Sequence, residues 1–150
     1  MFRMRTVFSP EDFHHYHNRN RYYLFTLLTL GATVGVFLSD DLFTTFVFFE
    51  VMSLASYPWV AHDERAESLR AAETYLYIAV IGGLVTLMGL FLLYAPLGTL
   101  SFAGMRAAAA AMESPAALYL PGPLTPSGLG VQAGMFPAPV WLPMADAWAR

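Results

Sequence analysis

Apolar runs dominate the chain, and the few polar positions divide it into segments. Tyr22 to Ser39 carries no charge for 18 residues, the short end of what a helix rising about 1.5 Å per residue needs to cross hydrocarbon. After the polar turn Ser39-Asp40-Asp41, Leu42 to Ala61 is apolar apart from Glu50, and Thr74 to Leu97 is again uncharged. The segment His62 to Glu73, dense in charge, separates these two runs. The pattern predicts three membrane helices. The first should continue a polar helix begun at Ser9-Pro10-Glu11-Asp12, which offers a capping hydroxyl, a proline at the first helical position and acids in the first turn. Pro58 falls in the last turn of the second, and Gly82, Gly83 and Gly89 leave room for a close neighbour on the third.

Beyond Leu97 the pattern changes. Arg106 to Leu120 reads as an alanine-rich helix, while Pro115, Pro121, Pro123 and Pro126 interrupt anything long enough to cross. The expectation for Pro121 to Trp148 is an apolar, irregular tail with no regular fourth span, its backbone tolerated only against protein or water. The fold class expected is therefore all-α: a polytopic membrane protein with three transmembrane helices and an irregular Pro/Gly-rich C-terminal tail. Residues 1–21 would form a cytoplasmic segment, 22–97 the three-helix membrane domain, and 98–150 an Ala-rich segment and a tail partly associated with the membrane.

Composition agrees: 57% of the 150 residues are hydrophobic and 13% charged, against about 25% charged in soluble domains. Without cysteine there are no disulfides or thiolate metal sites, and without lysine no Schiff base or phosphate-loop lysine. A net charge of −3 with no long basic run argues against nucleic-acid binding. Six arginines (3, 5, 19, 21, 65 and 70) fall on one side of the predicted spans and two (106 and 150) on the other, so the positive-inside rule puts the N-terminus and the 62–73 loop in the cytoplasm. Tyr22, Tyr23, Trp59 and Tyr75 would anchor that face as interfacial aromatics. No cleaved leader is expected, because the first apolar run starts only at residue 22 and lacks an A-x-A-like end.

The most informative residue is Glu50, near the middle of the second span. A carboxylate there costs roughly 2.5–3.5 kcal/mol if priced like Asp. About ten Leu, Phe, Val and Met side chains at roughly −0.3 to −0.6 kcal/mol each outweigh it, so the span still inserts. Apolar surroundings disfavour the charged form, so the group should exchange its proton readily when water or a positive partner approaches. Ser53 and Tyr57, at i+3 and i+7, extend a polar stripe toward the cytoplasmic end. The bland alternative is a protonated Glu50 that only hydrogen-bonds a neighbouring helix.

Other patterns have plainer readings. His14, His15 and His17 sit beside arginines before the first span and read as solvated or headgroup-facing rather than metal-binding. His17 and His62 fall at one membrane face, which makes a haem anchor geometrically conceivable. Gly128 to Gly134 is glycine-spaced but lacks a preceding strand and a downstream acid, so it reads as a turn and not a dinucleotide loop. Asp63, Glu64, Arg65, Glu67 and Arg70 read as an exposed helix start with weak ion pairs, or as a docking surface for a cytoplasmic partner. No catalytic, metal or cofactor residue is assigned.

The run Phe48-Phe49-Glu50-Val51-Met52-Ser53-Leu54-Ala55-Ser56-Tyr57, then Tyr75-Leu76, Leu93-Tyr94 and Leu97-Gly98-Thr99-Leu100, then Ala133-Gly134-Met135-Phe136-Pro137 and Trp141-Leu142-Pro143, resembles the antiporter-like proton-channel family. That family is shared by respiratory complex I, energy-converting membrane hydrogenases and Mrp cation/proton antiporters. The resemblance covers about residues 20 to 148 and implies that the spans match the family's fourth to sixth helices, with Glu50 matching its proton-translocating glutamate. Family members have about fourteen helices in two inverted repeats, so this chain would correspond to the region of helices four to seven. A lysine usual before Ala-Gly-Met/Leu-Phe-Pro is replaced by Gln132, a histidine usual before x-Trp-Leu-Pro by Pro139, and the later Ala-His by Ala145-Asp146.

The resemblance implies a prokaryotic inner-membrane subunit of a larger proton- or sodium-translocating redox complex, with other membrane subunits as partners. It would be at most a non-catalytic subunit of an oxidoreductase of the NADH:quinone or hydrogenase kind. Without an intrachain lysine, a proton path would borrow a cation or water chain from another subunit. The competing expectation is a structural or assembly subunit: a natural short subunit, a split piece or a truncated relic.

Overall fold

The computed structural model describes residues 19–60 and 66–133. Ser9 to Asp12, the four histidines and the stretch 134–148 lie outside the described residues, as does the Trp59 side chain. Three long helices come first: α1 (Arg19–Leu38), α2 (Leu42–Val60) and α3 (Ala66–Leu97). A short α4 (Phe102–Ala110), a 3-10 turn (Pro115–Leu118) and α5 (Pro121–Gln132) follow. Helix α1 packs on α2, α2 on α3, and α5 along α3.

Local chemistry sets the boundaries. Asp41 starts α2 by accepting from the Thr44 backbone N–H at 2.8 Å and from the Thr44 hydroxyl. Those two bonds, the hydroxyl's first, hold the Asp41 carboxyl below the usual carboxylate range. Its stabilising effect is therefore present above the unfolded value and lost as pH falls through the folded one. Helix α3 ends at Gly98, whose φ of 68° closes the last turn with an N–H bond to the Tyr94 carbonyl at 2.8 Å. An isolated antiparallel bridge then ties Asp41 to Ser101, through Leu42 N–H to Leu100 O at 2.9 Å and Phe102 N–H to Asp40 O at 3.2 Å. The α1–α2 turn and the end of α3 thus lie at one end of the bundle.

Apart from Leu90 and Tyr75, the buried residues are small or polar, and many large apolar side chains point outward. Ala32, Ala55, Ala71, Ala72 and Ala79 are buried with Ser53, Thr86, Thr125 and Gln132, whereas Leu27, Phe37, Ile81, Leu84 and Phe91 are exposed. That inversion suits lipid as solvent, where helices associate through close backbone approach. Hydroxyls on these helices are satisfied locally: Thr26, Thr29, Thr33, Ser56 and Thr86 each donate to the carbonyl four residues back. Among the described residues two helices are long and apolar enough to cross a bilayer, at Asn20–Leu38 and Leu69–Leu97; the apolar stretch of α2, Leu42–Pro58, is shorter. The expected charged loop is partly helical, since α3 begins at Ala66 and carries Glu67, Arg70 and Glu73 on its first turns.

The region after Leu97 corrects the sequence reading. The alanine-rich helix occupies Phe102–Ala110 rather than Arg106 to Leu120, with Ser101 as N-cap accepting from Gly104 N–H at 3.1 Å. The tail is not irregular over Pro121–Gln132, and Gly128 belongs to a helix rather than a turn. Prolines 121 and 123 fall in the first turn of α5, where the missing N–H groups have no intrahelical partner to lose. Packing does the rest. Pro121, Thr125, Gly128 and Gln132 are buried at i, i+4, i+7 and i+11, one helical face. They meet the stripe Gly82, Thr86, Gly89 of α3 in antiparallel sense: a Cβ on Gly89 would strike the Thr125 side chain and its backbone N at 2.8 Å, and one on Gly82 would meet Gln132 Cγ at 2.7 Å and Gly128 O at 2.8 Å. At 12 residues α5 reaches about 18 Å, too short to cross.

Tyr75 is a second correction. It is buried on α3, 7% exposed, and not an interfacial anchor; its hydroxyl donates to the Ser53 carbonyl at 2.9 Å and lies 3.1 Å from Ser53 Oγ, pinning α3 to α2.

The seam between α3 and α5 sets expectations for the stability of the purified chain in detergent. Gly89→Leu should lower it by about 1–3 kcal/mol through overpacking against Thr125, whereas Gly122→Ala, with nothing within 4 Å of its Cβ position, should change it by less than about 0.5 kcal/mol. Tyr75→Phe removes the two-way contact with Ser53 and should cost about 1–2 kcal/mol. Thermal unfolding followed by circular dichroism measures all three; equal effects of the two glycine changes would contradict the seam.

Candidate functional site

Glu50 lies nine residues into α2 and is half-buried. Its carboxyl comes to rest in a gap left by α3. A Cβ on Gly83 would stand 2.8 Å from Glu50 Oε1 and 2.9 Å from Oε2, so any side chain there would expel the acid. From the end of α5, Gln132 Nε2 donates to Glu50 Oε1 at 2.8 Å. Gln132 is 4% exposed, and its own Oε1 is buried with no hydrogen-bond partner among the described residues. Three helices therefore build the contact: α2 supplies the acid, α3 the space and α5 the amide.

Ser53 is 3% exposed and makes the next polar contact along the same seam. Because the single Tyr75 hydroxyl proton goes to the Ser53 carbonyl, Ser53 Oγ–H is left to donate to the phenol oxygen. The Ser53–Tyr75 pair lies about 4.5 Å along the helix axis from Glu50. Tyr57 is half-buried, and its hydroxyl bonds neither Glu50 nor Ser53 there.

The expected stripe is thus divided: Glu50 is held by Gln132, Ser53 by Tyr75, and Tyr57 stands apart. Sequence reasoning names Glu50, Ser53 and Gln132 without showing that Gln132 touches Glu50, and it misses Gly83 and Tyr75 as parts of the site. A signal exists. Ala71, Ala72, Tyr75, Ala79, Gly82, Gly83, Thr86, Gly89 and Leu90 recur at helical spacing, and all are buried, so Tyr75 lies on the small-residue face of α3. Chemically, the site offers a carboxyl and a primary amide. Among the described residues no group of three or more His, Asp or Glu converges on a point.

The sequence matches the profile of the family described as NADH:quinone oxidoreductase/Mrp antiporter, TM, over residues 39–149. It is 36% identical over 138 residues to a probable K(+)/H(+) antiporter subunit of Rhizobium meliloti (strain 1021), a match covering 91% of this chain and 24% of that protein. It is 44% identical over 85 residues to the putative antiporter subunit mnhD2 of Staphylococcus haemolyticus (strain JCSC1435), covering 55% of this chain and 17% of the relative. With the protein of the same name from Staphylococcus aureus (strain JH9) it shares 42% over 88 residues, 57% of this chain and 18% of that one. The chain spans about a quarter or less of the length of these relatives. The family match takes in both Glu50 and Gln132, along with most of the helical bundle. This chain is an integral membrane protein and belongs to the NADH:quinone oxidoreductase/Mrp antiporter transmembrane family.

Proposed function

We propose that the chain forms part of a cation/proton-translocating membrane assembly, with Glu50 as its protonatable site. The observation that carries this reading is an acid seated between three helices in an apolar bundle, bonded to an amide rather than to lipid. Intramembrane acids are costly and are functional by default. The relatives bear antiporter-subunit names, which favours an antiporter assembly over the redox host complex that the resemblance also allowed. In this arrangement α1, α2 and α3 all cross the bilayer, with α2, the shortest, reached by thinning or by its neighbours. The arginine distribution puts the N-terminal segment in the cytoplasm. The exposed apolar faces of α1 and α3 meet lipid or other membrane subunits. Ser53 sits one turn from Glu50 with free lone pairs and would receive a hydrogen-bonded water, while Tyr57 lines the exit toward the cytoplasm.

A second reading is favoured by one observation: the partner of Glu50 is a neutral amide, so the bond serves equally as a helix contact in a structural subunit. A pair of substitutions separates the two in membrane vesicles containing the assembled complex. Glu50→Gln keeps a side chain able to bond Gln132, so assembly should hold while cation-driven proton exchange, read with a pH-sensitive dye, falls at least tenfold. Glu50→Leu orphans the Gln132 amide and should also reduce assembly, at a cost of about 1–3 kcal/mol. Unchanged exchange with Glu50→Gln, together with lost assembly for Glu50→Leu, would sink the transport role and leave the structural one.

A further inference from the structure

We infer that Glu50 rests as the carboxylic acid and that Gln132 holds its proton in place, in a two-way acid–amide pair. The amide N–H donates to Glu50 Oε1, and the acid O–H donates from Oε2 to Gln132 Oε1. The inference deepens the reading of Glu50 as the protonatable site, because it specifies the loaded state of that site and the residue that maintains it.

An ionised carboxylate only accepts, whereas a primary amide carries both donors and an acceptor. With Glu50 ionised, Gln132 Nε2 is satisfied, but its Oε1 stays buried without a donor, which is how it stands among the described residues. Exchanging the amide oxygen and nitrogen gives no relief, because an oxygen would then face the carboxylate and a buried N–H would be orphaned in its place. A proton on Glu50 Oε2 would supply the donor that Gln132 Oε1 lacks. The proton moves from no other side chain: it is the one a carboxylic acid keeps when ionisation has no support.

Such support is missing on every packed element among the described residues. Helix α5 contains no ionisable residue, and it ends at Gln132, so the negative end of its dipole lies beside the carboxyl and disfavours an anion. On α3 the group facing Glu50 is the backbone of Gly83. The nearest charged residue on that helix, Glu73, is ten residues away, about 15 Å along the axis. Tyr75, also on α3, has its hydroxyl engaged by Ser53. The charged residues of α1 are Arg19 and Arg21; the nearer, Arg21, is about 13 Å further along the bundle than Glu50 when both are measured from the turn at residues 39–41. On α2 itself, the other titratable group of the span is Tyr57, two turns on. A lysine at position 132 would act in the opposite sense, stabilising the ionised acid; the glutamine stabilises the protonated one. Gln132 is thus a positioning residue for the proton.

The test is infrared spectroscopy of the full chain in its assembled complex, in lipid nanodiscs at neutral pH, with Glu50→Gln as the reference for subtraction. The expected wild-type spectrum has a protonated-carboxyl C=O band that Glu50→Gln abolishes. Gln132→Leu should keep the band but move it to higher frequency, because both hydrogen bonds are lost. Gln132→Lys should remove it and bring up carboxylate stretches in its place. Absence of any Glu50-dependent acid band in the wild type overturns the inference, as does a band that Gln132→Leu leaves unmoved. Neither readout uses transport, so a silent Glu50→Gln exchange assay with an intact acid band would fail the function and keep the pair, while the converse would keep the function and fail the pair.

Discussion

The structure depends on how closely α3 lets other helices approach it. Along one face, Gly82, Gly83, Thr86 and Gly89 present almost no side chain, and two things fill the space: the carboxyl of Glu50 from α2 and the Thr125–Gly128–Gln132 face of α5. In water such a face would be a poor core, because it buries little apolar area. In hydrocarbon the apolar drive between helices is absent, and dense backbone contact with a few polar bonds is what distinguishes the assembled state from helices dispersed in lipid. The same face therefore fixes the bundle and makes room for a polar group in its middle.

Depth follows from the same geometry. Glu50 lies nine residues beyond Asp41, about 13 Å from the end of the bundle where the 39–41 turn meets Leu100 and Ser101. Gln132 lies 11 residues beyond Pro121, about 16 Å along a helix running antiparallel to α3. Two separate helices thus bring an acid and an amide to one level of the bundle. The 12 residues of α5 are enough to bring Gln132 to the acid.

Much of this is legible in the sequence, and what escapes it has one cause. The three long helices appear as uncharged runs, the polar turn at 39–41 as a cluster of acids, and Glu50 as an isolated charge. The need for a close neighbour at Gly82, Gly83 and Gly89 is also readable. Helix α5 is not, because Pro121, Pro123, Pro126 and three glycines have low helix propensity. Propensity is a weak prior that packing overrides: two prolines sit where helices tolerate them, and Gly128 lies where α3 admits no Cβ. Tyr75 misleads for a related reason, since an aromatic near a helix end suggests an interface until the alanines on its own face are counted.

The Gln132–Glu50 contact also bears on what replacing a lysine does to such a site. A lysine and a glutamate in hydrocarbon stabilise each other as ions, so moving the lysine away frees the acid to take up a proton. A glutamine offers no such lever, because it is uncharged at any distance and bonds the acid in either protonation state. In the proposed reading, control of Glu50 would then come from geometry: the proton would leave when the amide turns, when water enters beside Ser53, or when a cation from outside these five helices approaches the carboxyl. Each of these would act at the α3 seam, where Gly82 and Gly83 let Gln132 and the Glu50 carboxyl come into close contact with the α3 backbone. Because the position of Gln132 is set by the contact of α5 with α3, a small displacement of α5 would change the distance between the amide and the carboxyl, so the bond reports how closely the two helices are packed.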